Sequence, residues 1–313
     1  MVRSWMLRSI AVSSALMLAA CTSSTSKGLA SSDQVPTTPQ TSIPLLTPIP
    51  ASSTSTTPSH SPTPSHSKAT PTPTHSSMRV APPVSVTVPR GTGPIIVIDP
   101  GHSVTVHGID PATGLDVSDY ENEPEMRDVY AVALLVKAKL EAVGYRVIMT
   151  KTSLDEPTSL GKRADIANAA HAALALSIHD QAGSNGGIGF NSGNNIVYYQ
   201  SVGTYRETPS GKKVYFTNSS EAALSKKYGQ IFADKRAAQE GHSIKLMPNV
   251  GYNLGSRGLP AGNIWIVQLL SKVPWIYNEA GGNSSGMSGL DSADKDRYAD
   301  GLVASVEACV PVK

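Results

Sequence analysis

Three classes of residue are scarce in this 313-residue chain: cysteines, aromatic side chains and charged side chains. The two cysteines, Cys21 and Cys309, lie in very different sequence contexts, which excludes a disulfide framework. Aromatic residues make up 5% of the chain and charged residues 16%, which is little for a globular protein of this length. This scarcity indicates that a substantial part of the chain does not belong to a packed core.

The scarcity is concentrated in residues 22–80. Of these 59 residues, 38 are Ser, Thr or Pro, four are charged and none is aromatic. Such a segment buries too little apolar surface to offset the conformational entropy of ordering it, and its ten prolines favour extended conformations. We therefore predict a disordered Ser/Thr/Pro-rich linker over residues 21–93 and a single folded domain over residues 94–313.

The net charge of +2 conceals a different balance in the predicted domain. Residues 1–93 contain six of the 26 basic residues and one of the 24 acidic residues, so 20 basic and 23 acidic residues remain in the domain. A domain with a slight excess of negative charge is poorly suited to binding nucleic acid. We therefore expect no nucleic-acid partner.

The first residues have the pattern of a secretory leader. Arg3 and Arg8 form a positively charged start, and residues 10–18 form an apolar core that is short for a membrane span. The sequence Leu-Ala-Ala-Cys, which ends at Cys21, resembles the bacterial lipobox, in which the cysteine becomes the lipidated first residue of the mature protein. This resemblance predicts a lipoprotein signal peptide over residues 1–20 and an extracytoplasmic protein anchored to the cell membrane through Cys21. The alternative is an ordinary cleaved leader followed by an incidental cysteine.

Strand and helix patterns alternate in the predicted domain. The β-branched run Ile95–Ile98 predicts a buried strand, and apolar residues at helical spacing after Pro124 predict a helix that stops at Gly144. The alternation predicts an α/β domain with a largely parallel sheet flanked by helices. The predicted strands cover residues 95–98, 145–149, 173–178, 196–199, 264–267 and 274–279, and the predicted helices cover residues 124–143, 159–171, 219–239 and 292–309.

Polar side chains follow three of the predicted strands. His102 follows the first, His179 the third and Glu279 the last, while Glu125 lies in the first turn of the first helix. Because ligands of open α/β sheets bind beyond the carboxyl ends of the strands, these four side chains can meet at one edge. Two imidazoles and a carboxylate form a ligand set of catalytic zinc, and a remaining glutamate can act as general base.

Each of these residues also has an ordinary structural interpretation. A histidine in a Pro-Gly-His turn is commonly a solvated loop residue, and a glutamate in the first turn of a helix interacts favourably with the helix dipole. Glu279 is more unusual, because carboxylates are rarely buried unless they are paired or functional. Spacing alone does not select the ligands, and the competing side chains are His107, His171, His242, Glu121 and Glu123.

Four motifs resemble those of the zinc-dependent N-acetylmuramoyl-L-alanine amidases of the amidase-3 type. Residues 95–102 (Ile-Ile-Val-Ile-Asp-Pro-Gly-His) resemble the opening motif of that family, and residues 176–179 (Leu-Ser-Ile-His) resemble its second histidine motif. Residues 278–281 (Asn-Glu-Ala-Gly) resemble its C-terminal glutamate motif, and residues 160–168 resemble its arginine-bearing helix. The motifs occur in the family's order, so the resemblance extends over about residues 94–308.

The resemblance implies a peptidoglycan hydrolase with Zn²⁺ as cofactor. Its substrates would be peptidoglycan or muramyl peptides, cleaved at the amide between N-acetylmuramic acid and the L-alanine of the stem peptide. In the family, a glutamate that opens the first long helix is the third zinc ligand, at a characteristic distance before the Gly-Tyr of the next strand. Glu125 matches that distance, whereas Glu121 and Glu123 do not.

The resemblance also assigns roles to individual residues. It implies that His102, Glu125 and His179 bind zinc and that Glu279 is the general base, which takes the proton of the attacking water. Arg163, on the arginine-bearing helix, is expected to form a structural ion pair, with a substrate contact as the alternative. The protein is expected to be a monomer.

The sequence departs from the family beside its two histidines. Ser103–Val104 follow the first histidine and Asp180–Gln181 follow the second, where the family commonly has other residues. These departures leave the ligands and the base in place but predict different contacts with the substrate. Residues 183–218, which are rich in Gly and Asn, are expected to form a variable flap over the cleft.

Two other classes of function compete with a zinc amidase. Residues 282–286 match G-x-S-x-G, the nucleophile motif of α/β-hydrolases, but in that fold the catalytic histidine follows the serine. The last histidine of this chain, His242, precedes Ser284, which argues against a serine hydrolase. The other alternative is a peptidoglycan-binding lipoprotein with weak or no activity on the same fold. The intact ligand set favours the enzyme, and a zinc assay on the purified protein separates the two.

Overall fold

The computed structural model describes residues 84–180, 195–250, 258–259, 265–281 and 289–313. The predicted signal peptide, the lipidation of Cys21 and the linker up to residue 83 lie outside these ranges, as does Ser284. None of the helices within them is both long enough and apolar enough to cross a membrane.

Eight strands and five helices are formed within the described ranges. The strands are β1 (Ile95–Pro100), β2 (Arg146–Met149), β3 (Leu174–Asp180), β4 (Ile196–Tyr199), β5 (Tyr205–Glu207), β6 (Lys213–Tyr215), β7 (Lys245–Pro248) and β8 (Trp275–Ala280). The helices are α1 (Glu123–Ala142), α2 (Leu160–Ala169), α3 (Ser219–Glu240), α4 (Ile266–Leu270) and α5 (Ser292–Cys309).

Six of the strands form one sheet in the order β2-β1-β3-β8-β4-β7. Strands β2, β1, β3 and β8 are parallel to one another, whereas β4 is antiparallel to β8 and parallel to β7. The prediction of a largely parallel α/β sheet flanked by helices is therefore confirmed. Strands β5 and β6 form a separate antiparallel hairpin.

The two faces of the sheet pack against different helices. On β1, Ile96 and Ile98 join a core formed with α1, α3 and α5, whereas Val97 joins a second core formed with α2 and α4. A strand that is covered on both faces needs apolar residues at consecutive positions. This explains the continuous apolar run of β1, which carries the first histidine of the predicted site at its end.

Local interactions at the helix starts place two of the predicted site residues. Pro124 lies in the first turn of α1, where its missing N–H costs nothing, and Glu125 follows it. At the start of α2, the Ser159 hydroxyl accepts a hydrogen bond from the backbone N–H of Lys162 at 3.3 Å. This cap fixes the first turn of α2, from which Arg163 extends.

The strand predicted over residues 264–267 is wrong for its last two residues, because Ile266–Leu270 form helix α4; residue 264 lies outside the described ranges. A short apolar run has no periodicity that distinguishes a strand from one turn of buried helix. Gln268 is fully buried, and its side-chain amide donates to the carbonyls of Tyr198 and Trp275 at 3.0 Å each. These tertiary hydrogen bonds hold the helix against β4 and β8, and no local pattern reveals them.

The predicted flap is described only in part, and that part includes a strand of the main sheet. Residues 196–199 form β4, paired with β8 on one side and β7 on the other, so the flap interpretation is wrong for them. The hairpin β5–β6, which the sequence did not predict, also falls within the segment. Residues 183–194 lie outside the described ranges.

Candidate active site

Strands β1, β3 and β8 end side by side at one edge of the sheet. Pro100 is in register with Ile178, and His179 is in register with Glu279. The backbone N–H of Gly101 donates to the carbonyl of Ile178 at 2.9 Å, so the turn after β1 starts against β3. The sheet therefore brings together the strand ends that carry the predicted site.

Three of the predicted residues form a tight cluster at this edge. His102 Nε2 lies 2.9 Å from one carboxylate oxygen of Glu125, and His179 Nδ1 lies 2.8 Å from the other. The centroids of the two imidazole rings are 5.2 Å apart. Each residue offers one ligand atom, and these atoms all lie within 4.8 Å of one another. This is the one potential metal-binding group of three or more side chains within the described part of the chain.

The donor set of this cluster fits a zinc ion. Two imidazole nitrogens and one carboxylate oxygen supply three protein ligands and leave a fourth position for water or substrate. The other ring nitrogen of His102, Nδ1, lies 3.1 Å from the carbonyl of Tyr120, which fixes the ring with Nε2 towards Glu125. The side-chain amide of Asn122 donates to Glu125 at 2.7 Å, so the carboxylate is oriented as well.

His179 is held by packing on all sides. Its ring is 2% exposed and stacks on Tyr277, with the ring centroids 4.4 Å apart and the planes at 17°. The hydroxyl of Tyr298 donates to its carbonyl at 3.2 Å. A Cβ atom on Gly101 would lie 2.3 Å from Cε1 of His179. Only glycine therefore leaves room for this imidazole beside the turn.

The pKa values of the cluster reflect its internal pairing. Burial tends to lower the pKa of His102, but the charge and hydrogen bond of Glu125 raise it to about 9. Burial tends to raise the pKa of Glu125, but the two histidines hold it well below its usual range. Burial lowers the pKa of His179. The carboxylate therefore remains ionised and available as a ligand across the physiological pH range.

Comparison with protein families identifies the chain. A family model described as N-acetylmuramoyl-L-alanine amidase, of the amidase-3 type, matches residues 96–306. The chain belongs to this family. The match runs from β1 to α5 and includes every residue of the cluster, so the resemblance seen in the sequence motifs is confirmed. No curated protein matches the chain.

Solved amidase structures are also similar to the chain. The N-acetylmuramyl-L-alanine amidase Ami1 from Mycobacterium smegmatis is 20% identical, with a TM-score of 0.47 over 69% of this chain and 96% of that one. Ami1 from Mycobacterium abscessus is 18% identical, with a TM-score of 0.49 over 69% and 98%. The catalytic domain of CwlV from Bacillus (Paenibacillus) polymyxa is 18% identical, with a TM-score of 0.45 over 70% and 99%.

Arg163 of the amidase lies beneath the cluster. Its side chain is 1% exposed, and its guanidinium pairs with Asp99 at 2.9 Å and with Asp119 at 2.6 Å. It also donates to the carbonyl of Pro100 at 2.8 Å and to that of His102 at 2.5 Å. All these partners belong to the protein, which is the arrangement of a structural ion pair.

Lys151 is a second buried cation at this edge, and sequence analysis did not identify it. Its side chain is fully buried, and its ammonium donates to the carbonyls of Gly101 at 3.2 Å and His102 at 2.7 Å. Burial and the neighbouring Arg163 lower its pKa to about 8. Its place shortly after β2, at the same edge as the strand ends, was the available signal.

Glu279 is the register partner of His179 and interacts electrostatically with Glu125 and His102 of the cluster. Burial raises its pKa well above the usual range, and the negative charges of Glu125 and Asp180 raise it further. The guanidinium of Arg236 donates to the backbone carbonyl of Glu279 at 3.0 Å. In the metal-free chain, these surroundings favour the protonated form of the carboxyl group.

The competing histidines and glutamates do not take part in the cluster. Glu123 forms an ion pair with Arg127 one turn further along the surface of α1. The remaining competitors, Glu121, His107, His171 and His242, are exposed and lie outside the cluster.

Proposed function

We propose that this amidase is a zinc hydrolase that cleaves peptidoglycan between N-acetylmuramic acid and the L-alanine of the stem peptide. His102, Glu125 and His179 hold the metal. The observation that carries the proposal is the arrangement of two imidazoles and one ionised carboxylate within 4.8 Å at the strand ends. Substrates of this kind are expected from the family. The family model matches residues 96–306, which extend from β1 into α5.

The bound metal and Glu279 have different roles in the proposed reaction. When bound, zinc supplies a Lewis acid for the amide carbonyl and lowers the pKa of water towards about 7. Glu279 removes a proton from the attacking water and passes it to the leaving amine. In the metal-free chain the raised pKa favours the protonated carboxyl, whereas a cation bound at the cluster would offset the charge of Glu125 and favour the ionised form that takes the proton from water. Once protonated, the same carboxyl group can deliver that proton to the leaving amine.

Arg163 supports the site without contacting the substrate in this proposal. Its side chain is 1% exposed, and two buried carboxylates neutralise it. A substrate group could reach the guanidinium only by breaking these ion pairs. The structural ion pair is therefore better supported than the substrate contact.

The metal content of the purified chain and the masses of its products test the function together. We expect about one zinc per chain, and digestion of muramyl peptides that releases a free L-alanine amino terminus. A chain that binds peptidoglycan but releases no products would be the binding protein rather than the enzyme. Products formed with no dependence on metal would contradict the zinc mechanism but leave the bond specificity intact.

We further propose an extracytoplasmic amidase that acts on the cell wall as a monomer, anchored by a lipid at Cys21. Residues 1–20 form its signal peptide, residues 21–93 its tether and residues 94–313 its catalytic domain. The support is the lipobox-like sequence and the composition of the tether. Cys21→Ser is expected to release the protein from the membrane fraction or leave it unprocessed. Unchanged mass and unchanged partitioning would refute the lipid anchor.

A further inference from the structure

The turn that presents His102 has an unfavourable backbone conformation. His102 has a φ of +53°, and in the described part of the chain His171 is the only other non-glycine residue with positive φ. A side chain with a Cβ atom is disfavoured there by contact with the backbone. Such conformations persist where the surrounding structure holds them.

Two buried cations hold this turn through its carbonyl oxygens. The carbonyl of His102 accepts from Lys151 at 2.7 Å and from Arg163 at 2.5 Å. Lys151 also donates to the carbonyl of Gly101 at 3.2 Å, and Arg163 to that of Pro100 at 2.8 Å. Three successive carbonyls are therefore bound by charged donors, which form stronger hydrogen bonds than neutral ones.

The two cations differ in how their charge is compensated. Arg163 is paired with Asp99 and Asp119, whereas Lys151 forms no ion pair within 4.0 Å among the described residues. Its hydrogen bonds in the structure go to the carbonyls of Gly101 and His102. A buried charge is costly, and an apolar side chain would fill the same space without that cost. We therefore attribute the presence of a charged group at this position to its hydrogen bonds with the carbonyls of Gly101 and His102.

We propose that Lys151 is a positioning residue of the amidase, one that fixes the backbone of His102 so that its Nε2 faces Glu125 and the metal. This inference rests on the proposed zinc site. Without the ammonium, Arg163 alone holds the carbonyls of the turn, which can then relax towards negative φ and turn the imidazole away from Glu125. The predicted consequence is weaker zinc binding by a protein that remains folded.

The test is the zinc affinity of the full chain, measured by competition with a chromogenic chelator. Lys151→Met keeps the length and apolar stem of the side chain but removes the charged donor. We expect its zinc affinity to fall about 10–100-fold, the usual effect of removing a group that orients a metal ligand. Lys151→Arg keeps a charged donor and is expected to restore most of the affinity.

A core variant separates positioning from general stability. Leu302→Ala, in α5, removes fully buried apolar contacts in the core formed with α1 and α3, so it should lower the unfolding temperature but leave zinc affinity unchanged. Wild-type zinc affinity in folded Lys151→Met would overturn the inference. If Lys151→Met does not fold, Lys151→Gln takes its place, and wild-type affinity there would overturn it equally. Absence of zinc binding by the wild-type chain would instead refute the proposed function.

Discussion

The two histidines of the cluster are held in different ways. His179 is the last residue but one of a central strand that pairs on both sides, and it is 2% exposed and stacked on Tyr277. The side chain of His102 is 19% exposed and lies in a left-handed turn beyond the end of β1. The sheet itself places His179, whereas a buried group of charges places His102.

The difference shows how one site uses two kinds of support. A residue that is still paired within a sheet has little backbone freedom, so the side chain of His179 needs only packing. A turn has more conformational freedom, so the peptide groups around His102 are bound by Lys151 and Arg163. We expect substitutions to affect the two histidines through different physical causes.

Removing either histidine gives the largest expected effect. His102→Ala and His179→Ala should both lose zinc and hydrolysis, because two remaining ligands hold zinc poorly. Their stabilities without metal should differ. His179→Ala leaves a cavity against Tyr277 and should cost about 1–3 kcal/mol, whereas the more exposed His102 should cost less. Metal analysis and chemical denaturation measure both effects, and equal destabilisation by the two variants would contradict the contrast.

The carboxylate that joins the two histidines has a matched control on the same helix. Glu125→Ala should lose zinc and activity, whereas Glu123→Ala should keep both, because Glu123 pairs with Arg127 at the surface. Metal content of the two purified variants decides between them. Stoichiometric zinc in Glu125→Ala, with loss in Glu123→Ala, would show that the wrong carboxylate was assigned.

Glu279, like His179, lies near the end of a strand of the main sheet. Glu279→Gln should keep zinc and fold, because three other side chains supply the ligands of the proposed metal site. Glutamine is nearly isosteric but cannot accept a proton at neutral pH, so turnover on muramyl peptides should fall about 10²–10⁴-fold. Near-wild-type turnover would identify another base, such as Asp180, and lost zinc would make Glu279 a ligand.

The strand side of the site was also the easier side to predict from sequence. The apolar runs of β3 and β8 predict strands, and the polar residues near their ends give His179 and Glu279. Helix α5 begins and ends as its pattern predicts, at residues 292 and 309. Short elements such as α4 and the hairpin β5–β6 were missed, because they depend on tertiary contacts.

The buried position of Lys151 among charged and polar groups could not be predicted from the sequence, for a physical reason. A lysine that follows a strand is usually solvated, whereas Lys151 is fully buried and donates to two carbonyls of the turn after β1. Glu125 was selected over its neighbours by the family resemblance rather than by spacing. The geometry then separates them, since Glu125 is 4% exposed between the histidines and Glu123 faces solvent.

Gly101, which precedes His102 and lies against the ring of His179, gives a smaller expected effect on zinc affinity. Gly101→Ala would place a Cβ atom 2.3 Å from the His179 ring, so the ring or the turn must move. We expect zinc affinity to fall about 10–100-fold, as for other changes that misorient a ligand. Gly108→Ala, in the same loop, meets its nearest atom at 3.5 Å and should bind zinc normally. Equal affinities in the two variants would show that the contact is easily relieved.

The smallest expected effect, when it is counted per pH unit, is the pH dependence of zinc binding, which reports on the turn side alone. In the metal-free chain, Glu125 and, more weakly, Asp119 raise the pKa of His102 to about 9, whereas burial lowers that of His179. At neutral pH, zinc must therefore displace one proton, from His102. Apparent affinity should rise about tenfold per pH unit up to about 9, with one proton released per zinc.

The stability of the metal-free chain should change in the opposite direction. Because the pKa of His102 is raised above its unfolded value of 6.5, its ion pair with Glu125 stabilises the fold fully below pH 6.5. That contribution should be lost as the pH rises towards about 9, whereas the zinc-loaded chain should not show this loss.

Calorimetric zinc titrations in buffers of different ionisation enthalpy count the proton that zinc releases from His102. Zinc binding without proton release between pH 7 and 8 would show that His102 is already neutral in the metal-free chain, and that Glu125 does not hold its proton there.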